Sequence, residues 1–506
     1  VNADVVFSFQ AGDTIDIDTS DELSAFLTDI GGALDLDDQA VTVDSTVGVS
    51  VANAKSIAAD TSGTVTATIA SGTRVASLTE LRTPDGVNEE AHAWTITIDD
   101  DDATLATAAD LNTINDATTE QVNASEVTTI SSSTISDVGT LLTSAVADTP
   151  REFTTGSFDD LESLTISDET IDVDSLNTAI TNANAVVSGG TVPVFTLSDA
   201  DALINGGNET AFENLMTVEG TAGTDNINLG AQSLTIEGTI SSITNANNFT
   251  ASTTGTVSGE IVNTTRVADL TTLTNNQANA SYTVTINAAD NGSVTAANLN
   301  RINTATTGTV SLNNVTSIGA SDMTDLEALH TGIGGFSTLA NITAVTLTDN
   351  GGGDGSVDFG TLKDIVDNYQ DDVNANVAFS FQAADTIDID TTDELSAFVE
   401  DIEDNALVLV NQAVTIDSGV GVSVANAKTI AADTAGNVTA TIASGTRVAS
   451  LTELRTPDGQ NEEAHSWTIT IDNADATLAT AADLNTINDA TTEQVISAEV
   501  TALAAS

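Results

Sequence analysis

The sequence has no cysteine. Disulfides, thiolate metal centres and thiol nucleophiles are therefore excluded, and the fold must rest on packing, hydrogen bonds and ions. Proline is scarce, with four in 506 residues, so little interrupts regular backbone. Lysine and arginine number 10 against 75 acidic residues, a net charge of −65. Such a field repels nucleic acid and anionic lipid and sets both aside as partners. Aromatics make up 3% and histidine occurs three times. No apolar run reaches the roughly 18 residues that a membrane-crossing helix needs, so membrane insertion is not expected. No G-x-S-x-G, H-E-x-x-H, P-loop or dinucleotide-binding fingerprint appears. An enzyme is not the expected reading, and a polysaccharide-acting β-helix enzyme is a remote alternative.

What is present is order of another kind. Apolar residues make up 40% of the chain and are patterned, which argues against the disorder that high charge would otherwise suggest. Residues 3–124 return at 375–497. FSFQAGDTIDID at 7–18 becomes FSFQAADTIDID at 379–390, and TATIASGTRVASLTELRTPDG at 66–86 recurs unchanged at 439–459. A fainter copy lies between them: TRVASL at 73–78, TRVADL at 265–270 and TRVASL at 446–451 open three related blocks. The period of about 372 residues thus divides into two diverged halves. The first residues match 373–382, so the sequence is expected to be a window on a longer array.

A shorter rhythm runs beneath. From 294 onward, helix-like and strand-like stretches alternate, with helix anchors Leu299, Leu326, Leu362 and Leu395 spaced 27, 36 and 33 apart. Leu23, Phe26, Leu27 and Ile30, repeated as Leu395, Phe398, Val399 and Ile402, have helical spacing. Thr19 with Glu22, and Thr391 with Glu394, form capping boxes. GTVSLNNVTSI at 308–318 and NVAFSFQAADTIDID at 376–390 each read as one strand. Each helix has one narrow apolar stripe that only stacking can bury. The expected fold is a repeat solenoid of parallel strands alternating with short helices, α/β or β-solenoid, right-handed, with about 30 residues per turn. Four segments follow: copy one at 1–130, a diverged β-rich segment at 131–260, a second half-period at 261–372, and copy two at 373–506.

Three acidic patterns are candidate metal sites. The ladder DTIDIDT places Asp13, Asp16 and Asp18, and again Asp385, Asp388 and Asp390, at a strand end; ETIDVDS adds Glu169, Asp172 and Asp174. Alternating carboxylates on one strand face suit calcium, and the structural reading beside it is a solvated face leading into a capped helix. The run Asp99 to Asp102, with Asp472 and Asp475 in the second copy and Asn287 and Asp290 between, suits calcium or a plain acidic turn. GTAGTDNI at 220–227 supplies Gly220, Gly223, Asp225 and Ile227 in the register of a calcium-binding nonapeptide, or else forms a glycine-rich turn. His92 and His465 occupy one position in two copies, which favours a structural role over catalysis. The recurring bases Lys55/Lys428, Arg74/Arg447 and Arg82/Arg455 suggest helix-end or carboxylate pairing.

The phrase A-x-D-L-x-x-[LI]-x-x-A-T-T-x-x-V-x-[AL]-[SN]-x-V-T-x-I, at 108–130 and 296–318 (with Asn298 in the Asp position) and less completely at 481–503, resembles the giant acidic repeat cell-surface proteins of marine cyanobacteria, which are RTX-like surface or filament proteins. The resemblance implies an extracellular, cell-surface structural role in a filament, matrix or surface layer. It also implies bound calcium and, as partners, further copies of itself or surface polysaccharide. An adhesin stalk or phage tail-fibre segment is the alternative.

Overall fold

The computed structural model describes residues 6–10, 12–30, 32–82, 92–99, 106–147, 152–187, 192–219, 226–274, 278–348, 355–382, 385–455, 465–472 and 479–504. The chain forms two compact units, Val1–Gly259 and Glu260–Ser506. Each is α/β, with parallel strands alternating with helices.

One stretch of the second unit shows the pattern. Strands Ala344–Leu347, Ala378–Phe381 and Leu407–Val408 belong to one parallel sheet. Strands Ser356–Asp358, Thr386–Ile389, Ala413–Ile416 and Val438–Ile442 belong to another. Helices Phe359–Asp372, Thr392–Glu403 and Val424–Asp433 follow strands of the second sheet and pack on one another in order. Each repeat thus gives a strand to one sheet, a strand to the other, and a helix. The first unit does the same: Thr14–Ile17, Ala40–Val43 and Val65–Ile69 pair in parallel, with helices Ser20–Asp29 and Val51–Asp60 between them.

Alternation sets the strands. Ile387, Val414 and Val438 lie in register and are fully buried, while Thr386, Thr415 and Thr439 point outward. Paired residues are 24 apart from Val41 to Val65 and 34 apart from Ala344 to Ala378, so loops absorb the uneven repeat length while the apolar column stays aligned. The helices are amphipathic: Leu362, Ile365, Val366 and Tyr369 make the buried stripe of Phe359–Asp372.

Two expectations change. NVAFSFQAADTIDID is two strands in different sheets, Ala378–Phe381 and Thr386–Ile389. The reason is a turn, clearest in the first copy: the Asp13 amide donates to the Gln10 carbonyl at 3.1 Å, and Gly12 adopts φ +85°. GTVSLNNVTSI likewise splits into Val310–Ser311 and Ser317–Ser321, where the Val315 amide turns back onto Leu312. The segment 131–260 includes the longest strand among the described residues, Ser233–Ile240, together with long helices. It contains helices Ile135–Val146, Val173–Val186, Glu209–Val218 and Ile243–Ser252, whose wide apolar stripes (Val138, Leu141 and Leu142 in the first) are buried between repeats.

Candidate functional site

Several acidic residues stand where strands run into helices. A helix start leaves backbone N–H groups without partners inside the helix. The side chain before the first helical residue accepts one of them: Thr19 from Glu22, Asp172 from Ser175, Asp358 from Thr361 and Thr391 from Glu394. The capping box at Thr19 is complete, because the Glu22 carboxylate returns to the Thr19 amide. At Thr391 the Glu394 carboxylate takes the Asp390 amide instead, at 2.8 Å.

Further partners come from the next repeat, and these were not foreseen. Asp168 accepts the Ile135 amide at 2.7 Å, across 33 residues of chain. Ser133 and Ser321 accept the first amides of the Ala108–Asp116 and Ala296–Ala305 helices, each at 2.8 Å. Glu209 takes the Ser241 amide and hydroxyl, the Ser242 amide and the Asn245 side chain. Although burial opposes its charge, those donors hold the Glu209 carboxyl below the usual range. Asp290 accepts the Val267 amide at 2.9 Å and the Arg266 guanidinium at 2.5–2.7 Å. Burial raises its pKa, and the Arg266 and Val267 donors outweigh that and hold it low. The arginine of the TRVADL block is thus paired with a carboxylate.

The structure places the candidate residues as follows. Asp13, Asp16 and Asp18 are exposed; Asp13 accepts the Gln10 amide at 3.1 Å. In the second copy Asp385 is buried, Asp388 half-buried and Asp390 exposed. Asp388 lies in register with Asp358 and receives the Ser356 hydroxyl. Partial desolvation and then Glu394, Asp358, Asp388 and Asp417 push the Asp390 carboxyl up, so this junction concentrates negative charge. In the first copy Thr46 donates twice to Asp44 and lowers its pKa. Asp99 accepts the Gly72 amide, and Asp472 is half-buried. Asp102, Asp225 and Asp475, with Gly220 and Gly223, lie outside the described residues. Just past them, Ile227 and Asn226 are buried, and Asn226 forms a reciprocal amide pair with Asn184 at 2.8 and 3.0 Å. Among the described residues no three carboxylates or imidazoles are grouped closely enough to hold a metal ion.

The histidines are built into the packing. His92 Nδ1 accepts the Val65 amide at 3.3 Å beside Trp94, and His465 takes the Val438 amide at 3.2 Å beside Trp467. His330 meets Asp372 at 2.9 Å at the surface. A groove of about 900 Å³ runs along the second unit's helices, with Lys428, Asp433, Thr446 and Glu453 in its wall. No helix among the described residues is long and apolar enough to cross a membrane.

Compared with known proteins, the chain matches no family model and no curated protein.

Proposed function

We propose that this is a secreted structural repeat protein of the cell surface, part of an extracellular filament, matrix or surface layer. In this reading the turns coil as a right-handed solenoid and the chain assembles with copies of itself. The carrying observation is that polar side chains are used between repeats. Asp168, Asp290, Ser133 and Ser321 each satisfy an amide of the preceding repeat, and Glu209 satisfies amides of the following one, so these neighbouring repeats complete one another. The likeness to giant acidic surface proteins of marine cyanobacteria supports the same reading. A charge of −65 calls for counter-ions, and calcium at the acidic loops and strand ends supplies them outside the cell. Catalysis has no part in this proposal.

Electron microscopy with and without a calcium chelator tests it. Ordered fibres or sheets with calcium, lost on chelation, are expected. Discrete rods in both conditions favour the stalk reading, and a chelator-indifferent monomer overturns the assembly and ion claims together.

A further inference from the structure

The two long copies part company at one short strand. The first copy reads ALDLDDQAV at 33–41 and the second ALVLVNQAV at 406–414. The inward residues are the same, and Leu36 and its counterpart Leu409 are buried in both. The outward residues differ in kind. Asp35, Asp37 and Asp38 are exposed in the first copy. In the second, Val408 is 40% exposed and Val410 65%, the latter the most exposed large apolar side chain among the described residues.

Val408 sits at a sheet edge, and Val410 just past it, where its carbonyl accepts the Ala435 amide of the next repeat at 3.0 Å. Leu407–Val408 is the last strand of its sheet. On the outward face Val408 lies in register with Ser380, and Ser380 with Thr346, whose hydroxyls meet at 3.3 Å. Ala344 and Ala378 continue that face. None of these side chains is charged, in a chain with 75 acidic residues. The first copy has the same edge, Phe7–Ser8 beside Leu34–Asp35, with aspartates where the second has valines. Charges on an edge strand are a standard block against association, and here one copy keeps the block while the other has lost it.

We infer that the face around Val408 and Val410 docks against the same face of a second copy of this chain. Charge selects that occupant. In a two-fold contact the same patch stands on both sides, so an acidic edge meets an acidic edge and repels itself. This face carries no charge to recognise a charged ligand, and its exposed surface is apolar or hydroxylic. Stacked against itself it hides the valines, and the carboxylate beside them, Asp433, is already turned to the Leu409 amide at 3.4 Å. The inference rests on the self-assembly reading and assigns it one surface.

The test is sedimentation velocity over a concentration series on the full chain, comparing wild type with Val408→Asp/Val410→Asp/Asn411→Asp. That variant rewrites the strand as the first copy's, which folds in the same molecule. Facing like charges should weaken association roughly tenfold or more. Single cysteines give a second readout in a chain that has none: under oxidation Val410→Cys should form a disulfide dimer and Asp37→Cys should not. If wild type associates and the triple variant associates equally, or if both cysteines cross-link alike, this surface is wrong while self-assembly stands. A wild type that remains monomeric at its highest soluble concentration, with no Val410→Cys dimer, removes both.

Discussion

Replacing Thr306 with valine removes one hydroxyl and leaves the shape nearly unchanged. Thr306 is buried just past helix Ala296–Ala305. Its Oγ1 donates to the Tyr282 carbonyl of the preceding repeat at 2.9 Å and accepts the Gly308 amide at 2.9 Å. Valine leaves an acceptor and a donor without that partner, at about 1–3 kcal/mol each, against about 0.8 kcal/mol regained from the added methyl. The expected loss is about 1–5 kcal/mol. Gly308→Ala attacks the same junction sterically, because a Cβ there would lie 2.3 Å from the Tyr282 carbonyl oxygen. Overpacking against backbone costs about 1–3 kcal/mol or more. The double variant should lose less than the sum, since both changes break one contact. Urea unfolding is the assay, in a Trp94→Phe background that leaves Trp467, in the same unit as Thr306, as the sole tryptophan. With a slope of about 3 kcal/mol/M, the midpoint should fall by roughly 0.4–1.7 M. A Thr306→Val midpoint equal to the parent's would show that the hydroxyl does not tie the repeats together, and the argument for the junction would fail.

Three other expectations follow from the carboxylates. Glu209 has a pKa below its ordinary 4.5, so its stabilisation is present above that value and is lost as pH falls through the lower folded value. Glu209→Gln should therefore be less stable at neutral pH and flatten acid unfolding of the first unit, as followed by circular dichroism. Asp401 is the opposite case: burial, offset in part by Lys363 and reinforced by Asp367, Glu400 and Asp404, pushes it from 3.8 up to about 6. Its charge costs stability above pH 6, and the cost vanishes as pH falls toward 3.8; Asp401→Asn should raise stability at pH 8 by about 1–2 kcal/mol after allowance for solvent screening, and a loss there would contradict the sign. Arg266→Leu strands the buried Asp290 and should lower the melting temperature, whereas Arg266→Leu with Asp290→Asn should recover part of the loss in thermal melts.

Much of the local structure was legible. The spacing of Leu395, Phe398 and Ile402 predicted the helix Thr392–Glu403, whose buried face contains all three. Thr19 and Glu22 predicted a capping box that is present. The alternation in TIDI predicted Thr14–Ile17 and Thr386–Ile389. These are nearest-neighbour effects, and nearest neighbours are what a sequence displays. One signal in plain view was passed over. T-S-G at 61–63, T-T-G at 253–255 and 306–308, and T-A-G at 434–436 all mark the same junction, where a threonine bonds the previous repeat and only glycine fits beneath its carbonyl.

Composition, period and alternation by themselves determined that the chain would be acidic, disulfide-free and built of repeated strand and helix. The tertiary structure alone decided which strands share a sheet, because a turn such as Gln10–Asp13 divides one apolar run between two sheets. It also decided what the carboxylates face. Asp168, Glu209 and Asp290 look like other acids in a string of 75, and their partners lie 23 to 36 residues away. Stacking brings those distant amides within reach, and a one-dimensional pattern holds no record of that meeting. The same holds for Val408 and Val410, which read as ordinary strand residues until the sheet ends beside them and leaves them in water.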